Sequence, residues 1–261
     1  MHVFLTGASA GIGAALARRL AREPRLAGAH ITLVARSEGR LRQLAEELRP
    51  LGVFPHVVVA DLSDLEAADR ALADAVDVAG PVDLLINNAG SQVVGPTASI
   101  DVARAEASLT LDLMTPLRLI RRVLPGMETR GQGRVVNIAS MAALAPTPGM
   151  TWYNAAKGGL AAASEALRGE LAGSGVTVTT VYPGIIGTDM ADAALDAYRS
   201  SWAVRMQPIA SADDLADAVV RAALAGRARL VWPRWFALSR WFPAPTRWLV
   251  DALTPRPLAA S

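Results

Sequence analysis

His2-Val3-Phe4-Leu5-Thr6-Gly7-Ala8-Ser9-Ala10-Gly11-Ile12-Gly13 decides the fold: a short apolar run passes directly into a glycine-rich turn and then an alanine-rich helix reaching about Arg22. His2 to Thr6 reads as a buried strand. Glycine at 7 permits a tight turn. Glycines at 11 and 13 let a diphosphate approach the backbone at the helix N-terminus, where free N–H groups and the helix dipole favour an anion. Thr6, Gly7, Ser9, Gly11, Ile12 and Gly13 are therefore candidate contacts to a dinucleotide, the competing reading being a tight strand-to-helix turn with no ligand.

Outward from this stretch, strand and helix signals alternate. His30 to Ala35 is a second strand, Glu38 to Leu48 a helix with Leu41, Leu44, Ala45 and Leu48 at helical spacing, and Val57 to Ala60 a third strand ending in Asp61-Leu62. A helix over Leu65 to Val78 leads to the apolar strand Val82 to Ile86, which closes in Asn87-Asn88-Ala89-Gly90. Val102 to Leu124 is largely helical with Pro116 in its middle, Arg134 to Ile138 is a strand closing with Ala139-Ser140, and Thr177 to Val181 is a strand before a turn at Tyr182-Pro183-Gly184. Such alternation argues for an α/β domain, a doubly wound parallel sheet with helices on both faces. Ligands of such sheets bind at the carboxyl edge, where the two asparagines either hold backbone and cofactor together or merely make turns. At the end of the second strand Arg36 stands where an NAD-selective site presents a carboxylate, which favours NADP(H) over NAD(H) through a 2′-phosphate contact.

The chemistry-bearing stretch is Trp152-Tyr153-Asn154-Ala155-Ala156-Lys157, which stacks a phenol and an ammonium on one helix face. Using tyrosine as an acid or base near neutrality asks for a drop of roughly three pKa units, about 4 kcal/mol, part of which a fixed cation supplies. Of the 26 basic residues, 25 are arginine and only Lys157 is lysine. A position that keeps the compact ammonium against that bias has a use for it.

Composition excludes other classes. The 261 residues suit one α/β unit, and with 52% hydrophobic residues a large core is available. A formal charge of +2 argues against a nucleic-acid partner despite a pI near 9.5. The absence of cysteine excludes disulfides and thiolate chemistry, and His2, His30 and His56 make no metal-ligand spacing. Strand-like sequence from Val3 leaves no room for a signal peptide, which points to the cytoplasm.

In order and spacing, T-G-x-x-x-G-x-G at Thr6 to Gly13, Asp61-Leu62, N-N-A-G at Asn87 to Gly90, Ser140, Y-x-x-x-K at Tyr153 to Lys157 and P-G-x-x-x-T at Pro183 to Thr188 together resemble the short-chain dehydrogenase/reductase superfamily, in its short single-domain branch. The resemblance runs over about residues 2 to 232 and implies a seven-stranded Rossmann-like sheet, a nicotinamide cofactor, and interconversion of a carbonyl and an alcohol. It implies that Ser140 orients the substrate oxygen, Tyr153 exchanges the proton, and Lys157 lowers the tyrosine pKa and holds ribose. Asp61 and Leu62 would border the adenine, Asn88, Ala89 and Gly90 the adenine ribose side, and Ile186 and Thr188 the nicotinamide carboxamide, with Pro183 and Gly184 as further cofactor contacts. It also implies a homodimer or homotetramer. Asp112 departs from the pattern, standing where an asparagine completes the catalytic set through its main-chain carbonyl. Pro116, four residues on, lacks the N–H that would engage that carbonyl; the alternative is that Asp112 faces solvent. A cofactor-binding sensor or scaffold of the same fold is the other function class, and the intact Ser140, Tyr153 and Lys157 favour the enzyme.

Met141, Leu144, Met150, Trp152 and Ile185 are expected to line an apolar pocket for a lipophilic carbonyl or alcohol. Thr188 to Gln207, with Met190, Leu195, Tyr198 and Trp202, reads either as a lid or as subunit contacts. Residues 233–261 read as a tail packed on, or extending from, the catalytic domain of residues 1–232. From Ala218 to Val250 there are six arginines and no acidic residue, with Trp232, Trp235, Trp241 and Trp248 among them. That pattern fits peripheral contact with a membrane surface, or aromatics that close the pocket or an oligomer interface.

Overall fold

A computed structural model of the chain describes residues 1–198 and 208–254. Seven parallel strands form one sheet in the order β3-β2-β1-β4-β5-β6-β7. They are β1 (His2–Thr6), β2 (His30–Ala35), β3 (Phe54–Val59), β4 (Leu84–Asn87), β5 (Gly133–Ile138), β6 (Val176–Pro183) and β7 (Arg229–Trp232). Strand order reverses between β1 and β4, and the crevice beyond their carboxyl ends is where such sheets receive ligands.

Helices cover both faces. On one side α1 (Gly11–Ala21), α2 (Glu38–Leu48) and α8 (Ala212–Leu224) bury Leu16, Leu20, Leu44 and Val219 against Val3, Leu5 and Ile31. On the other, α3 (Leu65–Ala79) and α5 (Thr115–Thr129) bury Leu72, Leu119 and Val123 against Phe4 and Leu85. Each fully buried leucine contributes ~1.5–3 kcal/mol, so both layers hold the sheet firmly. The local signals are plain in α3, where Asp64 caps the helix by accepting from the Glu66 and Ala67 N–H groups and Ala68, Ala71, Leu72 and Ala75 form the inward stripe.

Apart from shifts of one to three residues at strand ends, as in β3 and β4, three features differ from the sequence reading. β7 carried no recognised signal, being four residues with an exposed arginine at its start. The turn expected from Tyr182 begins later, because Tyr182 and Pro183 pair with Val231 and Trp232 and lengthen β6. The helix expected over 102–124 is divided into α4 (Val102–Leu109), a π-helical turn (Thr110–Met114) and α5. Pro116 therefore sits in the first turn of α5, where a missing N–H is tolerated, and the ladder before it widens so that the Thr115 N–H donates to the Thr110 carbonyl.

Candidate active site

The carboxyl ends of the strands open into a cavity of about 1450 Å³ that runs from Arg36 past Lys157 to Leu253. At one end the glycine-rich turn is stitched to the end of β4. Thr6 Oγ1 accepts from the backbone N–H of Asn88 at 2.9 Å and of Ala89 at 3.0 Å. The Asn88 side-chain amide donates back to the carbonyls of Thr6, at 3.0 Å, and Gly7, at 3.2 Å. Gly7 has φ +66°, and a Cβ there would come within 2.7 Å of Ala89 Cα. A Cβ on Gly13 would overlap the Gly7 carbonyl. At Gly7 and Gly13 the chain is therefore bare backbone packed against the end of β4 and against the turn itself.

At the centre stand the residues of the phenol–ammonium pair. Both lie on α6 (Thr151–Glu170), with the Lys157 ammonium 5.9 Å from the centre of the Tyr153 ring. The Ser140 hydroxyl, just beyond β5, accepts from the Ala142 N–H at 3.1 Å and lines the same cavity as Tyr153. Lys157 Nζ donates to the Ile138 carbonyl at 3.1 Å and lies 2.8 Å from Asp112 Oδ1. Asp112 is wholly buried on the π-helical turn, so the alternative that it faces solvent is wrong. Its Oδ2 accepts from the Ser91 N–H at 3.0 Å and the Ser108 hydroxyl at 3.3 Å.

The electrostatics differ from the simple expectation that Lys157 lowers the Tyr153 pKa. Burial pushes the phenol up; Lys157 pulls it down, Asp112 pushes it up and Ser140 pulls it down, and the net direction is up. Burial opposes the Lys157 charge, but Asp112 overcomes it, so the ammonium is held above its ordinary value.

Behind the site, the Asn87 amide donates to Asn137 Oδ1 at 2.8 Å, and the Asn137 amide donates to Ser164 Oγ at 2.8 Å. This buried chain ties β4 and β5 to α6, the helix that carries Tyr153 and Lys157. Asn87 is thus committed to the scaffold rather than to the cavity, and Asn137 and Ser164 were not singled out from sequence.

Of the expected site residues, Gly7, Ser9, Gly11, Ile12, Gly13, Arg36, Asp61, Leu62, Asn88, Ala89, Gly90, Asp112, Ser140, Tyr153, Lys157, Pro183, Gly184, Ile186 and Thr188 all line the cavity. Thr6 does not, because its hydroxyl is buried between β1 and β4. Among the expected apolar walls, Met141, Met150 and Ile185 line the cavity, while Leu144 packs beside Tyr182 and Ala161 beneath it. Trp152 is also absent from the wall, since one residue along a helix turns a side chain about 100° from Tyr153. From the helix α7 (Asp189–Ala197), Met190 and Leu195 line the cavity, as does Tyr198 just after it; Trp202 lies outside the described residues. Sequence reasoning missed Arg40, four residues after Arg36 and on the same end of the cavity. It also left open the tail, whose helices α9 (Leu238–Trp241) and α10 (Pro243–Leu253) bring Leu238, Leu249 and Leu253 to the cavity wall together with Trp235 and Phe236.

The profile of the short chain dehydrogenase family matches residues 1–199. The chain belongs to that family. The chain is 36% identical over 184 residues to the ketoacyl reductase HetN of Nostoc, a match covering 70% of this chain and 63% of that one. It therefore spans somewhat less than two thirds of that relative's length. It is 38% identical over 202 residues to a putative ketoacyl reductase for granaticin from Streptomyces violaceoruber, covering 77% of this chain and 73% of the other. Among solved structures it resembles a short-chain dehydrogenase from Sphingobium yanoikuyae in complex with NADPH, with a TM-score of 0.79 and 31% identity over 100% of this chain and 98% of that one. The Rossmann-like architecture and the family of oxidoreductases are thereby shown. Among the described residues no helix is long and apolar enough to cross a membrane, and no cluster of ligating side chains is set to hold a metal.

Proposed function

We propose that this chain is an NADP(H)-preferring oxidoreductase that interconverts a ketone or aldehyde and an alcohol on a lipophilic small molecule. The observation that carries this reading is the convergence of Ser140, Tyr153 and Lys157 on one cavity that is also lined by Gly7, Gly11 and Gly13 of the glycine-rich turn. A nicotinamide dinucleotide supplies hydride when bound, and the bare turn at Gly7 to Gly13 fits its diphosphate. The protein's own part is position and proton. Ser140 donates a hydrogen bond to the substrate oxygen, Tyr153 gives that oxygen its proton during reduction, and Lys157 holds ribose and steadies the phenol. Asp61 and Leu62 border the adenine, Asn88, Ala89 and Gly90 its ribose side, and Ile186 and Thr188 the nicotinamide.

Two features support the finer assignments. Arg36 and Arg40 face the cavity together, and a pair of guanidinium groups suits a 2′-phosphate better than a bare ribose. Arg36 is 79% exposed and meets Asp61 only at 3.9 Å, so it is available to a stronger partner. The walls formed by Met141, Met150, Ile185 and the tail leucines suit a lipophilic substrate, and the relatives named as ketoacyl reductases favour a ketone on an extended carbon chain. A panel of ketones, aldehydes and alcohols followed by absorbance with NADPH or NADP tests the reading. It fails if no member of the panel turns over, in which case a cofactor-binding sensor of the same fold is the better description.

We further read residues 1–232 as the catalytic domain and the segment from 233 as its outer wall, and the assembly as a homodimer or homotetramer. A specific observation favours a second role for the tail: Trp235 and Leu238 of the cavity wall, and Trp241, Phe242 and Trp248 further along the same tail, are each more than half exposed. Aromatics interleaved with Arg234 and Arg247 suit contact with an anionic membrane surface, from which a lipophilic substrate is drawn.

A further inference from the structure

Asp112 is the departure from the family pattern that tertiary structure makes specific. Its carboxylate is 2.8 Å from Lys157 Nζ, and the two side chains are 0% and 5% exposed. Few buried ammonium groups stand without a partner, because the desolvation of a lone charge is costly. Here the partner comes from the π-helical turn. Ser91 and Ser108 hydrogen-bond to the other carboxylate oxygen, which leaves Oδ1 with the Lys157 ammonium as its partner. Gly90 belongs to the same device: a Cβ there would lie 2.5 Å from Asp112 Oδ1 and 3.2 Å from Lys157 Nζ, so only glycine leaves room for the pair.

We infer that Asp112 is a positioning residue that acts through Lys157, neutralising its charge so that Tyr153 rests as a protonated phenol and serves as a proton donor throughout the neutral range. This rests on the reductase reading given above. An isolated ammonium 5.9 Å from the phenol ring favours the phenolate, whereas an ammonium closed against a carboxylate presents a dipole whose field falls off faster. The groups around Tyr153 are Lys157 on its own helix, Asp112 on the π-helical turn and Ser140 after β5. Tyr198 packs in the same apolar cluster with its hydroxyl donated to the Pro148 carbonyl at 2.6 Å, and Asp189 stands exposed on the cavity rim. Burial and Asp112 push the phenol in the same direction. In reduction the Tyr153 O–H bond breaks as the alcohol O–H forms, a bound reduced nicotinamide would supply the hydride, and the phenolate takes its next proton from water. A phenol that is fully protonated at rest keeps this step independent of pH until the solution becomes alkaline. Alcohol oxidation needs the phenolate and rises over the same alkaline range.

The chain has three tyrosines, so the ultraviolet difference titration of tyrosinate in the full-length protein, wild type minus Tyr153→Phe, isolates this one phenol. Its midpoint is expected above the ordinary value of ~10 in wild type, and about one unit lower or more in Asp112→Asn, a tenfold fall in proton affinity. A wild-type midpoint at or below the ordinary value overturns the inference, and that arm stands even if the variant does not fold. An unchanged midpoint in a folded Asp112→Asn protein overturns it too. With any ketone that turns over, the alkaline breakpoints for reduction and oxidation are expected to shift down together in the variant, because the equilibrium constant ties the two directions. Failure of every substrate with the titration as expected would count against the reductase reading and leave the charge pairing of Asp112 supported.

Discussion

Thr6 Oγ1 lies 2.9 Å from the backbone nitrogen of Asn88 and also accepts the N–H of Ala89 at 3.0 Å, so one buried hydroxyl on β1 satisfies two amides at the end of β4. Thr6→Val keeps the shape and removes the acceptor, leaving two part-buried N–H groups without it at a combined cost of about 1–3 kcal/mol. Urea denaturation is expected to show that loss, with Thr6→Ser restoring most of it. A valine variant as stable as wild type would show that the amides find other partners.

Tyr153→Phe preserves the ring in its apolar cluster with Met150 and Tyr198 and removes the proton donor. Turnover is expected to fall by roughly a hundredfold or more, the worth of a positioned general acid, with the cofactor dissociation constant nearly unchanged. Activity within a few-fold of wild type would remove Tyr153 from the proton-donor role.

Arg36 and Arg40 predict an asymmetric effect on cofactors, since only NADPH carries the extra phosphate. Arg36→Ala is expected to weaken NADPH by about tenfold or more while altering NADH little, because charge-assisted bonds to phosphate are worth ~1.5–3 kcal/mol. Calorimetric titration with each cofactor decides it; equal losses on both would place Arg36 outside the recognition site.

Asp69 on α3 joins Arg118 and Arg122 of α5, with Oδ2 2.7 Å from each terminal nitrogen. Hydrogen bonds from Arg118 and then Arg122 hold its carboxyl well below the usual range. A depressed folded-state pKa contributes stability that is fully present above the unfolded value of ~3.9 and is lost as pH falls through the folded one. Asp69→Asn is therefore expected to be less stable than wild type at neutral pH and to lose less on going to pH ~2–3. Parallel losses in urea melts at the two pH values would show that the pairing adds nothing, as exposed arginines sometimes do.

The tail predicts that full-length protein floats with vesicles containing anionic lipid at low salt and is released as salt rises. Trp241→Ser together with Trp248→Ser, at two positions more than 70% exposed, is expected to reduce flotation several-fold without affecting folding. Protein that stays in the bottom fraction would leave these aromatics as pocket or subunit contacts.

The amino-acid sequence by itself determined the alternating strands and helices, the glycine-rich turn, and the pair Tyr153 and Lys157, with Ser140 added through the family resemblance. Each of these is encoded within a few residues: by the period of apolar side chains, by glycine where a Cβ is excluded, or by a four-residue step along a helix. Six strands were legible for that reason, whereas β7 became a strand only through its pairing with β6, 46 or more positions away. Tertiary structure alone decided that Thr6 serves the scaffold, that Leu144 and Trp152 leave the cavity wall, that Arg40 joins Arg36, and that the tail forms part of the wall. It also decided the charge of the site. Asp112 and Lys157 are 45 residues apart, and no local pattern says that a π-helical turn will bury a carboxylate 2.8 Å from the single lysine. Such pairings depend on how layers pack over the sheet, and packing is a property of the whole chain rather than of any stretch of it.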